Sequence, residues 1–100
     1  MTLVYITCRD KREAERIARH LLAKRLIACA QIFPAKSMYR WQRRIVYENE
    51  FIVIAKTFEK RFKELVGQVK KVHSYKTPCI MKIGAEAEKG YEAWAKKEMR

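Results

Sequence analysis

Between Ile27 and Thr57 the chain carries two strand-like stretches of about 13 residues each, against a usual strand length of roughly 5 or 6. The first runs from Ile27 to Phe33, meets Pro34, and resumes as Ser37-Met38-Tyr39-Arg40-Trp41. Its alternation puts Ser37, Tyr39 and Trp41 on one face. Because proline cannot donate to a ladder, Pro34 implies a bulge, a bend or an edge strand. Gln42-Arg43-Arg44 supplies a hairpin turn without glycine, and Ile45 to Thr57 returns, with Phe51 to Ala55 its most buried part. Such a hairpin must extend beyond any sheet that so small a chain can cover with helices. Its tip carries Tyr39, Trp41, Ile45, Val46 and Tyr47. Those side chains need covering, and self-association is the simplest cover.

The flanking segments complete the order of elements. Thr2 to Cys8 is apolar and β-branched, as expected of a strand buried on both faces. Asp10-x-x-Glu13 resembles a capping box, and Ala14, Ile17, Ala18, Leu21, Leu22 and Leu26 follow at helical spacing. Phe58, Phe62, Leu65, Val66, Val69 and Val72 define a second helix, weakened only locally by Gly67. His73 to Pro78 is its exit loop, since Pro78 cannot continue a helix. Cys79 to Ile83 is a fourth strand, Gly84 breaks it, and Tyr91, Trp94 and Ala95 mark a C-terminal helix. This βαββαβ order predicts an α+β, ferredoxin-like sandwich with a long central hairpin and a C-terminal helix. All helices should lie on one face of a mixed antiparallel sheet, and residues 1–100 should form one domain.

A chain of 100 residues with 49% apolar side chains is viable but marginal alone, which again favours an oligomer. It holds no apolar run of 18 residues and no N-terminal leader pattern, so a cytoplasmic protein is expected. Cys8, Cys29 and Cys79 form no CxxC and lie in apolar stretches, where free thiols act as small core hydrophobes. Lys and Arg number 23 against 11 acidic residues, a net charge of +12. The excess is spread over both halves and not gathered in a tail, which predicts attraction to polyanions without a basic arm.

Several blocks stand in a distinctive order: Arg25-Leu26-Ile27-Ala28-Cys29-Ala30-Gln31-Ile32, Ser37-x-Tyr39-x-Trp41, Lys56-Thr57, His73-x-Tyr75-x-x-Pro78 and Tyr91-x-x-Trp94. In these blocks the chain resembles the CutA family of divalent-cation tolerance proteins over nearly its whole length. The resemblance implies a homotrimer similar to PII-type signalling proteins, with hairpins exchanging strand contacts between subunits. It also implies a link to tolerance of copper or another divalent cation. By motif match, an interface pocket would involve Cys29, Tyr39, Trp41, Lys56, His73 and Tyr75. Lys76 and Cys79 stand where the family usually carries acidic residues, and Arg43 where it tends to have glycine. These departures make the loop less attractive to a hard cation. They turn the expectation towards a soft metal or an anion.

Cys29 and His73 are the candidate metal ligands, because thiolate and imidazole suit Cu(I) or Zn(II). Each stands alone in sequence, so a shared ion needs tertiary or intersubunit convergence, and a structural thiol with a hydrogen-bonded histidine is the plainer alternative. His20 flanks the apolar stripe of the first helix and reads as a surface residue. Tyr39 and Tyr75 are the better pocket residues, Trp41 suits an interface, Trp94 suits the core, and Lys56 would add charge. No GxGxxG, P-loop or GxSxG occurs. A Cys29–His73 nucleophile pair lacks any nameable oxyanion donor. RNA-recognition domains share the element order but stack bases on rings of the third strand, where this chain has Ile52-Val53-Ile54-Ala55. The expectation is a non-enzymatic trimeric binding or signalling protein of metal tolerance. The alternative is a basic module for an anionic small molecule, a protein partner or, less favoured, nucleic acid.

Overall fold

The computed structural model describes residues 1–100. Its elements are β1 (Thr2–Cys8), α1 (Lys11–Ala23), β2 (Cys29–Trp41), β3 (Arg44–Thr57), a single 3₁₀ turn (Glu59–Arg61), α2 (Phe62–Val72), β4 (Ile80–Gly84) and α3 (Lys89–Glu98). The strands lie in the order β2-β3-β1-β4, and every neighbouring pair is antiparallel, so the sheet is not mixed. This is the ferredoxin-like arrangement. Its two helical crossovers return each outer strand antiparallel to the central strand it pairs with.

On β1, Thr2, Val4, Ile6 and Cys8 are buried, while Leu3, Tyr5 and Thr7 between them are only half-buried. The strand is therefore covered fully on one face, not two. On that face Val4 and Ile6 meet Val53 and Ala55 of β3, Ala14, Ile17 and Leu21 of α1, and Leu65 and Val69 of α2. Burying each larger aliphatic of this set contributes about 1.5–3 kcal/mol. Met81 and Ile83, which pair with Tyr5 and Leu3, are more than half exposed. The second face of the sheet is thus apolar and open.

Asp10 caps α1, its carboxylate accepting the Glu13 N–H at 2.8 Å. The helix stops at Ala23, short of Leu26. Arg25 takes a φ of 55°, its N–H bonds the Leu22 carbonyl, and the Leu26 N–H bonds the Leu21 carbonyl. This pair of hydrogen bonds closes the helix end in a Schellman motif and swings Leu26 into the core from outside the helix. The expected helical stripe thus ran three residues past the end of the helix.

β2 and β3 pair without a break from Cys29 opposite Lys56 to Trp41 opposite Arg44. Pro34 stays within the ladder because β2 is an edge strand, the place where a missing N–H is tolerated. The turn contains only Gln42 and Arg43, at φ 49° and 66°, the left-handed pair that a type I′ hairpin demands. The hairpin stretches the molecule to 46 × 25 × 21 Å. Its tip leaves Tyr47 73% and Trp41 61% exposed. α3 packs through Ala95 and Met99 against Ala28, whereas Trp94 stays 44% exposed beside Tyr91. The core role expected of Trp94 falls to the small residue next to it, which lets the helix approach closely.

Candidate functional site

The loop after α2 folds over the C-terminal end of β1, and each of its first three residues is pinned. A His73 ring nitrogen, Nε2, bonds the Thr7 carbonyl at 2.7 Å, and Nδ1 accepts the Tyr75 N–H at 3.0 Å. Since Nδ1 accepts, the proton sits on Nε2 and the ring is neutral in this arrangement. Glu13, fully buried, accepts the Arg9 and Ser74 N–H groups at 2.8 Å each and meets the Arg16 guanidinium at 3.4 Å. Burial pushes its pKa up, but the hydrogen bonds from Arg9 and Ser74 outweigh that and hold the carboxyl below its ordinary range. Glu13 Oε1 lies 3.9 Å from His73 Nδ1. Cys8 completes a buried trio, with one donor atom from each residue within 4.8 Å of the others. Its thiol is pushed up to about 12 by burial and then by the carboxylates of Glu13 and Asp10. In that state it is a protonated core thiol and no nucleophile.

On the open side of the sheet the same loop borders a cleft of about 870 Å³. Its walls include Tyr39 and Trp41 from β2, Glu48 and Glu50 from β3, and Tyr75 and Lys76 from the loop. The Tyr75 hydroxyl donates to Glu50 Oε2 at 2.5 Å. Burial and then this bond push the Tyr75 hydroxyl well above the usual tyrosine range. Tyr39 is raised as well, first by its hydrogen bond with Glu48. Two carboxylates against one ammonium give the cleft a locally acidic lining within a strongly basic chain. That lining suits a cation or a neutral polar group better than an anion.

The structure thus brings Tyr39, Trp41 and Tyr75 together and sets Cys29 and Lys56 apart from them. Cys29 pairs with Lys56, and Lys56 pairs with Leu3, whereas His73 is held at Thr7. Four residues of strand separate these levels, about 13 Å at roughly 3.3 Å per residue. Within one chain Cys29 and His73 share neither a metal nor a nucleophile–base contact. Lys56 Nζ sits 5.4 Å over the Tyr91 ring, outside the cleft. His20 is half-buried and bridges the two long helices, a ring nitrogen 2.8 Å from Gln68 Oε1, so it is not a free surface group. Sequence reasoning passed over Cys8, Glu13, Glu48 and Glu50 as site residues. One signal was available: Glu50 stands directly before the most apolar stretch of β3, where an unpaired carboxylate would be costly.

A wholly antiparallel four-stranded sheet, α1 and α2 on one face, a long hairpin and a cleft at its root define a ferredoxin-like fold of extended-hairpin type. The CutA1 divalent ion tolerance protein family matches residues 2–98, and the chain belongs to that family. It is 48% identical over 83 residues to the divalent-cation tolerance protein CutA of Archaeoglobus fulgidus, covering 83% of this chain and 81% of that one. The protein so named from Thermotoga maritima is 43% identical over 86 residues, covering 86% and 85%. The solved structure of the A. fulgidus protein, described as the periplasmic divalent cation tolerance protein, superimposes over the whole of both chains with a TM-score of 0.97 at 41% identity.

Proposed function

We propose that this chain is a non-enzymatic binding and signalling protein of divalent-cation tolerance. It works as a homotrimer, and its ligand site is the cleft walled by Tyr39, Trp41 and Tyr75. The observation that carries this reading is the apolar surface left open on one chain, Ile45 and Tyr47 on the far face of the hairpin and Met81, Ile83 and Trp41 on the uncovered side of the sheet. Exposed patches of this kind mark interfaces. The cleft lies on that same side, so assembly would close it. Copper is the ion proposed, because the chain supplies thiols and imidazole and few exposed carboxylate clusters. Copper held by Cys29 together with His73 would have to bridge subunits. Three free thiols suit a reducing compartment, the cytoplasm. The rival anionic ligand draws support from the +12 charge but meets Glu48 and Glu50 in the cleft. Polyanion attraction is accordingly assigned to the outer surface.

The test is light scattering and copper titration on one metal-stripped, reduced sample with a competing chelator. A mass of three chains and stoichiometric uptake against the chelator are expected. A monomer at micromolar concentration, or an intact trimer that takes up no copper, would sink the reading.

A further inference from the structure

The geometry points to a second metal site, inside a single chain: Cys8, Glu13 and His73 form a thiolate–carboxylate–imidazole set for a borderline-soft divalent ion such as Zn²⁺. These residues lie on the helix-covered side of the sheet, at the end of β1, and not in the cleft. Their donor atoms already fall within 4.8 Å of one another. Ligand bonds of about 2.0–2.3 Å would bring them to tetrahedral edges of roughly 3.3–3.6 Å. Glu13 Oε1 and His73 Nδ1 stand 3.9 Å apart. A contraction of about 1.5 Å or less suffices.

The surrounding hydrogen bonds arrange the ligands before any ion arrives. The His73 Nε2–H donates to the Thr7 carbonyl, which fixes the tautomer and leaves Nδ1, 3.9 Å from Glu13 Oε1 and now accepting the Tyr75 N–H, as the ligand nitrogen. A backbone carbonyl on the far ring nitrogen is the usual outer support of a metal-bound histidine. On Glu13, Oε2 already takes the Ser74 N–H and the Arg16 guanidinium, while Oε1 takes only the Arg9 N–H. The oxygen with a spare lone pair is therefore the one nearest His73. An ion displaces two present contacts. Nδ1 exchanges the Tyr75 N–H for the metal, and the Arg16 guanidinium, also bonded to the Val72 carbonyl on the surface, withdraws from the added charge. The Cys8 thiol gives its proton to solvent as sulfur takes the metal, so one proton leaves per ion bound. Three protein ligands leave a fourth position open, the pattern of reactive and exchangeable zinc sites. Cys8 and the side chains of Glu13 and His73 are fully buried, so the ion enters when the loop of residues 74–78 lifts.

The site is read with Co²⁺ on the reduced, metal-stripped full chain, followed by Zn²⁺ displacement. One Co²⁺ per chain is expected, with tetrahedral visible bands, a near-ultraviolet thiolate-to-cobalt band and one proton released. Cys8→Ala should lose the thiolate band, while Cys29→Ala and Cys79→Ala keep it. Circular dichroism checks each fold. Glu13→Gln, which preserves volume, should weaken Co²⁺ uptake at least tenfold, and it serves if Cys8→Ala does not fold. Absence of a thiolate band, its survival in Cys8→Ala, its loss in Cys29→Ala, or unchanged affinity in Glu13→Gln would overturn the assignment. Both readings draw on His73, so Cys8→Ala separates them, abolishing the cobalt band here while leaving copper uptake by a trimer in place. A monomer with a Cys8-dependent band would refute the trimer and keep this site, and a copper-binding trimer without the band would do the reverse.

Discussion

Glu13 does the work of several residues at the loop–helix junction, and its charge state should be visible in stability. Its carboxylate holds the Ser74 N–H from 61 positions away as well as the Arg9 N–H. A carboxyl titrating below its ordinary 4.5 in the fold contributes fully above that pH, and the contribution fades as pH falls through the lower folded value. Glu13→Gln should cost about 1–3 kcal/mol near neutrality. Urea unfolding across a pH series should show that gap narrowing below pH 4.5. Tyr75 behaves in the opposite sense. Its raised hydroxyl favours the fold fully below its ordinary 10.0, and that is lost as pH climbs through the folded value. Tyr75→Phe strips a nearly buried Glu50 of its partner and should cost about 1–3 kcal/mol, measured the same way at neutral pH. Neither role was legible in the sequence. Asp10-x-x-Glu13 announces a helix start, and it does start one, but nothing local announces a partner 61 residues on. The aromatic wall was legible, because strand alternation alone aligns Tyr39 with Trp41. Cys29 and His73 were paired by residue type, and only the register shows them at opposite ends of the sheet.

Among the elements, the hairpin carries a local conflict that can be relieved. Gln42 and Arg43 both occupy left-handed backbone, which a side chain bearing Cβ adopts at a cost and glycine adopts freely. Arg43→Gly should therefore stabilise the fold by about 1 kcal/mol and raise the urea midpoint of unfolding, without altering the pairing of Trp41 with Arg44. A lower midpoint would mean that the Arg43 side chain contributes contacts outweighing its backbone strain. The strands and helices themselves were readable from period and caps. Their exceptions have named causes. Leu26 kept the helical spacing but belongs to a Schellman closure, which any residue at φ 55° can begin although glycine is the usual sign. Phe58 fits the stripe of α2, yet the chain enters that helix through a 3₁₀ turn. Trp94 lost its expected burial because the helix seats itself through alanine.

At the scale of the molecule, two features oppose one another. The open sheet face and the hairpin tip offer apolar surface that water disfavours, while a net charge of +12 on each chain resists bringing copies together. The chain is 25 and 21 Å across its short axes. Screening reaches about 30 Å at 0.01 M salt and about 8 Å at 0.15 M, so neighbouring subunits repel across their full width only in dilute salt. Assembly should consequently tighten as salt rises, the reverse of an interface built on opposite charges. Light scattering over that range should show the oligomer mass gaining at the expense of single chains. The apolar face is tested by a pair of substitutions, Met81→Glu and Ile83→Lys, at positions more than half exposed and remote from the helix-side core. The isolated chain should keep its circular dichroism, since neither residue belongs to that core, and its scattering mass should fall to one chain. Charges of opposite sign leave the net charge unchanged, so the loss would be traceable to apolar surface. If the doubly substituted protein still assembled, the hairpin tip alone would hold the subunits together, and Trp41→Ala with Tyr47→Ala would then be the change that separates them.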